Sequence, residues 1–384
     1  MPQHTSMLAE YASKGGEWTA REIAQQPTVW AETEASVLAL APAARAFLAP
    51  LLARPDLRIV LTGAGSSAYI GQCLLPEFLG ALGRRVESLA TTDLVASPAQ
   101  YFQRDVPTLL VSFARSGSSP ESLAAVDLAD RHVTDCHHLV VTCTADGDLR
   151  RRLEGRPNGF VVVLPPATHD RGFAMTSSFS SMLHAARVLL VPAVAPDAAS
   201  RLGRATSLLL EREGSHVEDL ARGRHPRTVY LGSGGLGGLA NEAALKLLEL
   251  SDGAIAALAN TSLGFRHGPK TFVTPGTLVV QFASNDPLAR RYDLDLVREL
   301  CSDGIAARVL VLSAQPVAIA GCDVVNVPGL EAATDAELAL PYVAWAQLYA
   351  FHCSLALGCR PDSPSAAGVV NRVVQGVTIY AAEG

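Results

Sequence analysis

The chain repeats itself at a fixed interval. Gly63-Ala-Gly65 and Gly232-Ser-Gly234 stand 169 residues apart, and TLLVSFA (108–114) returns at the same offset as TLVVQFA (277–283). Leu139 and Val309 are offset by 170. A unit of that length is too long for a solenoid repeat and is a normal size for one doubly wound sheet. Each copy alternates short β-rich runs with longer helical runs, the pattern of a parallel sheet. The strand candidates are 58–63, 108–114, 138–143 and 160–165, then 228–232, 277–283, 308–313 and 323–328. The fold class is therefore α/β, with two tandem doubly wound parallel-sheet domains behind a helical N-terminal leader.

The leader covers 1–40, the first domain 41–200 and the second 201–384, divided near the Pro- and Ala-rich stretch 191–200. Within the leader, Thr19-Ala-Arg-Glu22 fits a capping box, which would start a helix there. Hydrophobic residues make up 49% and charged residues 18%, enough apolar surface for two full cores. The net charge of −6 disfavours a nucleic-acid partner, because phosphate-backbone binding needs a basic surface. The stretch MPQHTSMLAEYASKGGEW shows no charged n-region followed by an apolar h-region, so no secretory signal is expected in it. The best apolar run, 186–195, is short and broken by Pro192, so no membrane span is expected. Seven cysteines without a C-x-x-C pair read as reduced thiols, hence a cytoplasmic protein. His4 and His137–His138 lack metal-ligand spacing, so neither metal nor cofactor is expected.

The first copy offers an anion site. Ser116-Gly-Ser118-Ser119-Pro-Glu-Ser122 follows the 108–114 strand and opens a helical run. Ligands bind at strand ends of parallel sheets, and a helix N-terminus presents free amides and a positive dipole end. The Ser hydroxyls add donors and Gly117 lets the backbone curl around a phosphate. A simple capped loop would use the same residue types. A second pair, Ser66–Ser67, follows Gly63-Ala-Gly65 at the neighbouring turn.

The second copy lacks these serines; its matching loop reads ASNDPLAR. Its Gly232-Ser-Gly-Gly-Leu-Gly237 satisfies G-x-G-x-x-G, but the expected strand end near Ala259–Asn260 has no carboxylate to hold a ribose. Dinucleotide binding is disfavoured. The following helix, LANEAALKLLEL, is apolar nearly all round, and offsets of four and seven place Glu242, Lys246 and Glu249 on one stripe. A helix this apolar is not a surface helix, so the stripe should line a cleft and suit acid–base work. Phe265-Arg-His267-Gly-Pro269-Lys270 follows, with a Gly–Pro turn that would present His267. Only three of the 31 basic residues are lysine, and Lys246 and Lys270 both fall in this region. An ammonium is kept where a compact, mobile charge is needed. A phosphate cradle beside carboxylates, lysine and histidine fits proton transfer on a phosphorylated sugar.

These residues resemble the sugar isomerase (SIS) domain family, and their tandem arrangement is similar to the isomerase half of glucosamine-6-phosphate synthase. The shared pattern is the Gly turn, then Glu242, Ala244, Leu245, Lys246 and Glu249, then His267-Gly268-Pro269. The family's Ser-x-Ser-Gly-x-Thr loop is met by Ser116-Gly117 and by Ser119 in place of Thr, while Ala114 replaces the first Ser and Ser118 is its substitute. The AgaS subgroup, of tagatose-6-phosphate ketose/aldose isomerases and galactosamine-6-phosphate deaminases, is a closer likeness. It is carried by Thr19 to Trp30, SFARSGSSPES, HDRGFAMTSSFS (169–180), GFRHGPK and NRVVQGVTIY (371–380).

The resemblance implies two flavodoxin-like SIS domains. It implies that Ser67, Ser116 and Ser119 bind phosphate, with Ser66, Arg115, Ser118, Thr176, Lys270 and Gln375 completing the sugar-phosphate site. Glu249 would shuttle the proton between sugar carbons, organised by Glu242 and Lys246, and His267 would open the ring, reaching in from a second subunit. Gln375 stands where the synthase has a lysine, which favours ammonia release or plain isomerisation over amination. Lys270 stands where the synthase has an apolar residue and would mark the subgroup's substrate. The implied reaction converts galactosamine 6-phosphate to tagatose 6-phosphate and ammonia without a metal. Aldose–ketose isomerisation, glucosamine-6-phosphate deamination and a non-catalytic sugar-phosphate sensor are the alternatives. The expected partners are a small sugar phosphate and further copies of the chain, as a homodimer or larger homo-oligomer.

Overall fold

In the computed structural model, which describes residues 2–192, 194–195, 197–374 and 376–380, the duplication is realised as two five-stranded parallel sheets. The first comprises β1 (Arg58–Thr62), β2 (Arg85–Ser88), β3 (Thr108–Ala114), β4 (Cys136–Thr142) and β5 (Gly159–Val163), in the order β2-β1-β3-β4-β5. The second comprises β6 (Arg227–Gly232), β7 (Ala256–Asn260), β8 (Thr277–Phe282), β9 (Arg308–Ser313) and β10 (Asp323–Asn326), in the order β10-β9-β8-β6-β7. Counted from its own first strand, each copy has the 2-1-3-4-5 order of flavodoxin-like sheets. β1, β3 and β8 are buried at every position, as expected of parallel strands covered on both faces. The eight expected strands are present within two residues at each end. The short edge strand β2 has no apolar run to announce it.

The two Gly turns are conformational copies as well. Gly65 has φ 56°, ψ −127° and Gly234 has φ 55°, ψ −128°, a region that only glycine enters without strain. A Cβ on Gly63 would lie 2.7 Å from the Ser67 carbonyl oxygen, and one on Gly232 would strike that of Leu236. Nothing lies within 4 Å of a Cβ built on Gly65 or Gly234, so there the constraint is torsional alone. Gly65→Ala and Gly234→Ala should each destabilise the chain by about 1–3 kcal/mol. Chemical denaturation measures this; unchanged midpoints would mean the turns relax freely.

The described residues of 1–30, 170–180 and 196–369 form one compact unit, which holds the second sheet. Those of 31–169, 181–195 and 370–384 form another, which holds the first. The N-terminal segment folds as α1 (Pro2–Ser13) and α2 (Glu17–Leu52), and α2 continues past residue 40 without a break.

Two expectations about this segment are corrected. Thr19 does not cap a helix. α2 begins at Glu17, and the Asp362 carboxylate accepts the amides of Trp18 and Thr19 at 3.1 and 2.8 Å. Glu22, instead of closing a box, accepts the amides of Arg171 and Gly172, and burial pushes its pKa up to about 8. A cap supplied from 343 residues away leaves no local signature. The second correction concerns apolar length: α2 contains an 18-residue window long and apolar enough to cross a membrane, by length and composition only. Pro42 and Pro50 divide that run in the sequence, but the helix carries through both.

Candidate active site

In the first copy, β1 and β3 are neighbours, with Leu61 opposite Val111 and Thr62 opposite Ser112. The turns that follow them therefore leave the same end of the sheet side by side, at its switch point. Ser66 and Ser67 start α3 (Ser66–Leu82), both nearly buried. Ser116, Gly117 and Ser118 form the loop into α4 (Pro120–His132). Gly117 has φ 62°, and its carbonyl accepts Leu149 N at 2.8 Å, which ties the loop to the next turn of the sheet. Ser119 is the N-cap: its hydroxyl donates to Ser122 Oγ at 2.6 Å. Ser118 Oγ accepts Asp148 N at 3.1 Å, and its hydroxyl also hydrogen-bonds the Asp148 carboxylate, which helps hold that carboxyl below its usual range. The Arg115 guanidinium is nearly buried and donates to the Arg372 carbonyl at 2.5 Å.

The corresponding turns of the second copy are filled by the chain's own carboxylates. Asp293 lies on α5 (Pro287–Asp303) and is fully buried. It accepts from Ser233 Oγ and Ser262 Oγ, each at 2.5 Å, and from Ser284 N at 3.0 Å. Asp335 accepts from Ser284 Oγ at 2.6 Å and from Asn285 N at 3.0 Å. Burial raises the pKa of both despite these bonds. A negative group seated on Ser233, inside the G-x-G-x-x-G turn, would repel a pyrophosphate. β7 ends at Asn260, again without a carboxylate. The second copy's turn donors are thus satisfied internally.

The acid–base stripe lies on α6 (Gly235–Leu250). Glu242 and Lys246 are completely buried, while the Glu249 side chain keeps 23% of its surface exposed. The Lys246 ammonium donates to Glu249 and stands 3.6 Å from Glu242 Oε1. The stripe is expected to line a cleft, and of its three charged side chains Glu249 is the one that reaches solvent. The burial has a clear electrostatic logic, since an isolated ammonium could not be desolvated here without partners. The Lys246 ammonium donates to Glu249, so the buried cation holds the one carboxylate of the group that reaches solvent.

His267 stands on a separate turn of the same unit, exposed to solvent. Thr261 caps the short helix Ser262–Phe265 by accepting Gly264 N, and the fully buried Phe265 anchors it. Gly268 then takes φ 116°, which a side chain would resist, and Pro269 begins a 3-10 turn. Among the described residues, nothing hydrogen-bonds the His267 imidazole, and Glu242, Lys246 and Glu249 are in mutual contact without it. Lys270 is paired with Glu299 and Asp303 of α5. Burial works against its charge, but the two carboxylates outweigh this and raise its pKa.

Thr176 is buried, and its amide and hydroxyl both donate to Asp170 at 2.9 Å. Gln375 lies outside the described residues. Three features have no signal in the sequence spacing: the Asp293 plug, the Arg115–Arg372 contact and a donor cluster of Asp130, Cys136 and His138. The atoms of that cluster lie within 4.8 Å of one another, although the His spacing suggested no metal-ligand group. It sits where β4 begins, at the opposite end of the sheet from the serine turns, and Arg156 already holds Asp130 at 2.7 Å.

No family model matches the chain. It is 50% identical over 368 residues to the AgaS protein of Streptomyces coelicolor, covering 94% of this chain and 95% of the relative. It is 43% identical over 374 residues to the D-galactosamine-6-phosphate deaminase AgaS of Escherichia coli O157:H7, covering 96% and 97% of the two chains. Among solved structures, the tagatose-6-phosphate ketose/aldose isomerase of Escherichia coli superposes with a TM-score of 0.88 at 39% identity, over 97% of this chain and 99% of that one.

Proposed function

The chain belongs to the AgaS family of SIS-domain sugar-phosphate deaminases and isomerases, and on that premise we propose that it converts galactosamine 6-phosphate and water to tagatose 6-phosphate and ammonia. The observation that carries the reading is the Glu242–Lys246–Glu249 group, a buried ammonium that presents one accessible carboxylate. Glu249 takes the proton from C2 of the open-chain amino sugar and returns it at C1. The product of that shift is a 2-imine. Water adds to its carbon and ammonia leaves, giving the ketose. Ser67, Ser116 and Ser119 hold the 6-phosphate at the switch point of the first sheet, supported by the amides that open α4.

His267 opens the ring. Its exposure on a fixed turn, with an imidazole that no described residue engages, supports delivery into the site of a second copy. The working unit is then a homodimer or a larger assembly in which each turn serves a neighbour.

Ammonia release from galactosamine 6-phosphate and from glucosamine 6-phosphate tests the reaction. One ammonia per ketose formed, faster with the galacto substrate, is the expected result. Ketose formed from an unaminated aldose, with no ammonia from either amino sugar, would replace deamination by plain isomerisation.

A further inference from the structure

The turn that carries His267 is gripped from both sides by one helix. Arg266 precedes the histidine and Lys270 closes the turn. Glu299 of α5 accepts Arg266 Nε at 2.7 Å on one oxygen and Lys270 Nζ on the other. Asp295 takes the second arm of Arg266 at 2.9 Å, and Asp303 takes Lys270 at 2.5 Å. Asp295, Glu299 and Asp303 follow one another at intervals of four, so they form one row on the helix.

That row is unfavourable for α5 taken alone. Like charges four apart repel, and Asp303 is the last residue of the helix, where the dipole disfavours an anion. The two cations across from it offset this repulsion. Isolated surface pairs contribute little, but here one carboxylate bridges two cations that flank three residues of backbone. Within that span the Gly268 carbonyl accepts Thr271 N and Oγ1 and His267 N donates to the Gly264 carbonyl, while Gly268 itself has no Cβ to restrict it, so tying both ends of the turn to one helix narrows the freedom that remains.

We propose that Glu299 is a positioning residue for His267, its carboxylate bridging Arg266 and Lys270 so that the His267–Gly268–Pro269 turn is held rigid. This rests on the reading of His267 as the ring-opening group. It reassigns Lys270 from contacting substrate to closing the clamp.

Three variants test it: Glu299→Gln, Lys270→Met and Lys270→Arg. Glu299→Gln and Lys270→Met should each lower kcat on galactosamine 6-phosphate by about ten- to a hundredfold, with KM moved by less than about twofold. The double variant should be little worse than either single, since both break one clamp. Lys270→Arg keeps the charge but not the compact ammonium that meets both carboxylates, and should fall between Lys270→Met and the wild type in kcat. Amide hydrogen exchange over 264–272 gives a readout independent of turnover: it should quicken about tenfold or more in Glu299→Gln while α5 stays protected. Unchanged exchange and kcat in Glu299→Gln would overturn the proposal. So would a large rise in KM at normal kcat in Lys270→Met, which would make that lysine a substrate contact. If the wild-type enzyme releases no ammonia, the deaminase reading fails, while the exchange data still decide whether the clamp exists.

Discussion

Replacing Glu249 with Gln is expected to lower kcat for ammonia release by about 10²–10⁴-fold, the range a positioned general base contributes. The amide keeps the size and hydrogen-bonding reach of the side chain but cannot accept a proton from carbon. Lys246 is then left with one buried carboxylate, Glu242, and one neutral neighbour, so the local charge still balances. Folding should survive, and binding of a non-reactive hexitol 6-phosphate, measured by calorimetry, should stay within about threefold of wild type. A Glu249→Gln enzyme with near-normal turnover would put the base elsewhere. Ser116→Ala is the complementary measurement: weaker hexitol-phosphate binding there, with Glu249 untouched, would separate the phosphate-holding and proton-moving halves.

Replacing Lys246 with Met should damage the fold as well as the chemistry. The ammonium is fully buried between Glu242, also fully buried, and Glu249. Removing one member of a buried ionic group leaves uncompensated charge in a low-dielectric interior and costs about 3–5 kcal/mol. For a chain of 384 residues that corresponds to a fall in Tm of roughly 5 °C. Glu242→Gln in the same background removes one of the stranded charges and should recover part of the loss. A Lys246→Met protein that melts with the wild type would mean that the two carboxylates are solvated or protonated without it. Activity should fall too, because Glu249 loses the partner that orients it.

Much of the fold was legible because the signals that specify it are local and occur twice. Val-, Ile- and Leu-rich runs of five to seven residues fix the buried strands, and Gly63–Gly65 and Gly232–Gly234 fix the turns that follow the first strand of each copy. The Glu242–Lys246–Glu249 stripe was legible for the same reason, since spacings of three and four on one helix guarantee contact. What misled the reading were residues whose partners come from far along the chain. Thr19 and Glu22 have the spacing of a capping box, yet Asp362 takes the helix start and Glu22 turns to the 171–172 backbone. The pairing of Lys270 with Glu299, 29 residues on, is likewise invisible to any local pattern.

The duplicated sequence by itself determined two parallel α/β sheets of one strand order, the turn that could hold phosphate and the helix that carries the acid–base group. The tertiary structure decided which of those groups are available for chemistry. Burial closes off Glu242 and Lys246 and leaves Glu249 accessible. Asp293, 60 residues from Ser233, fills the second copy's turn and satisfies its donors. The physical reason is the same in each case. Secondary structure follows from backbone and side-chain periodicity within a few residues, whereas desolvation and charge pairing depend on what the folded chain brings alongside.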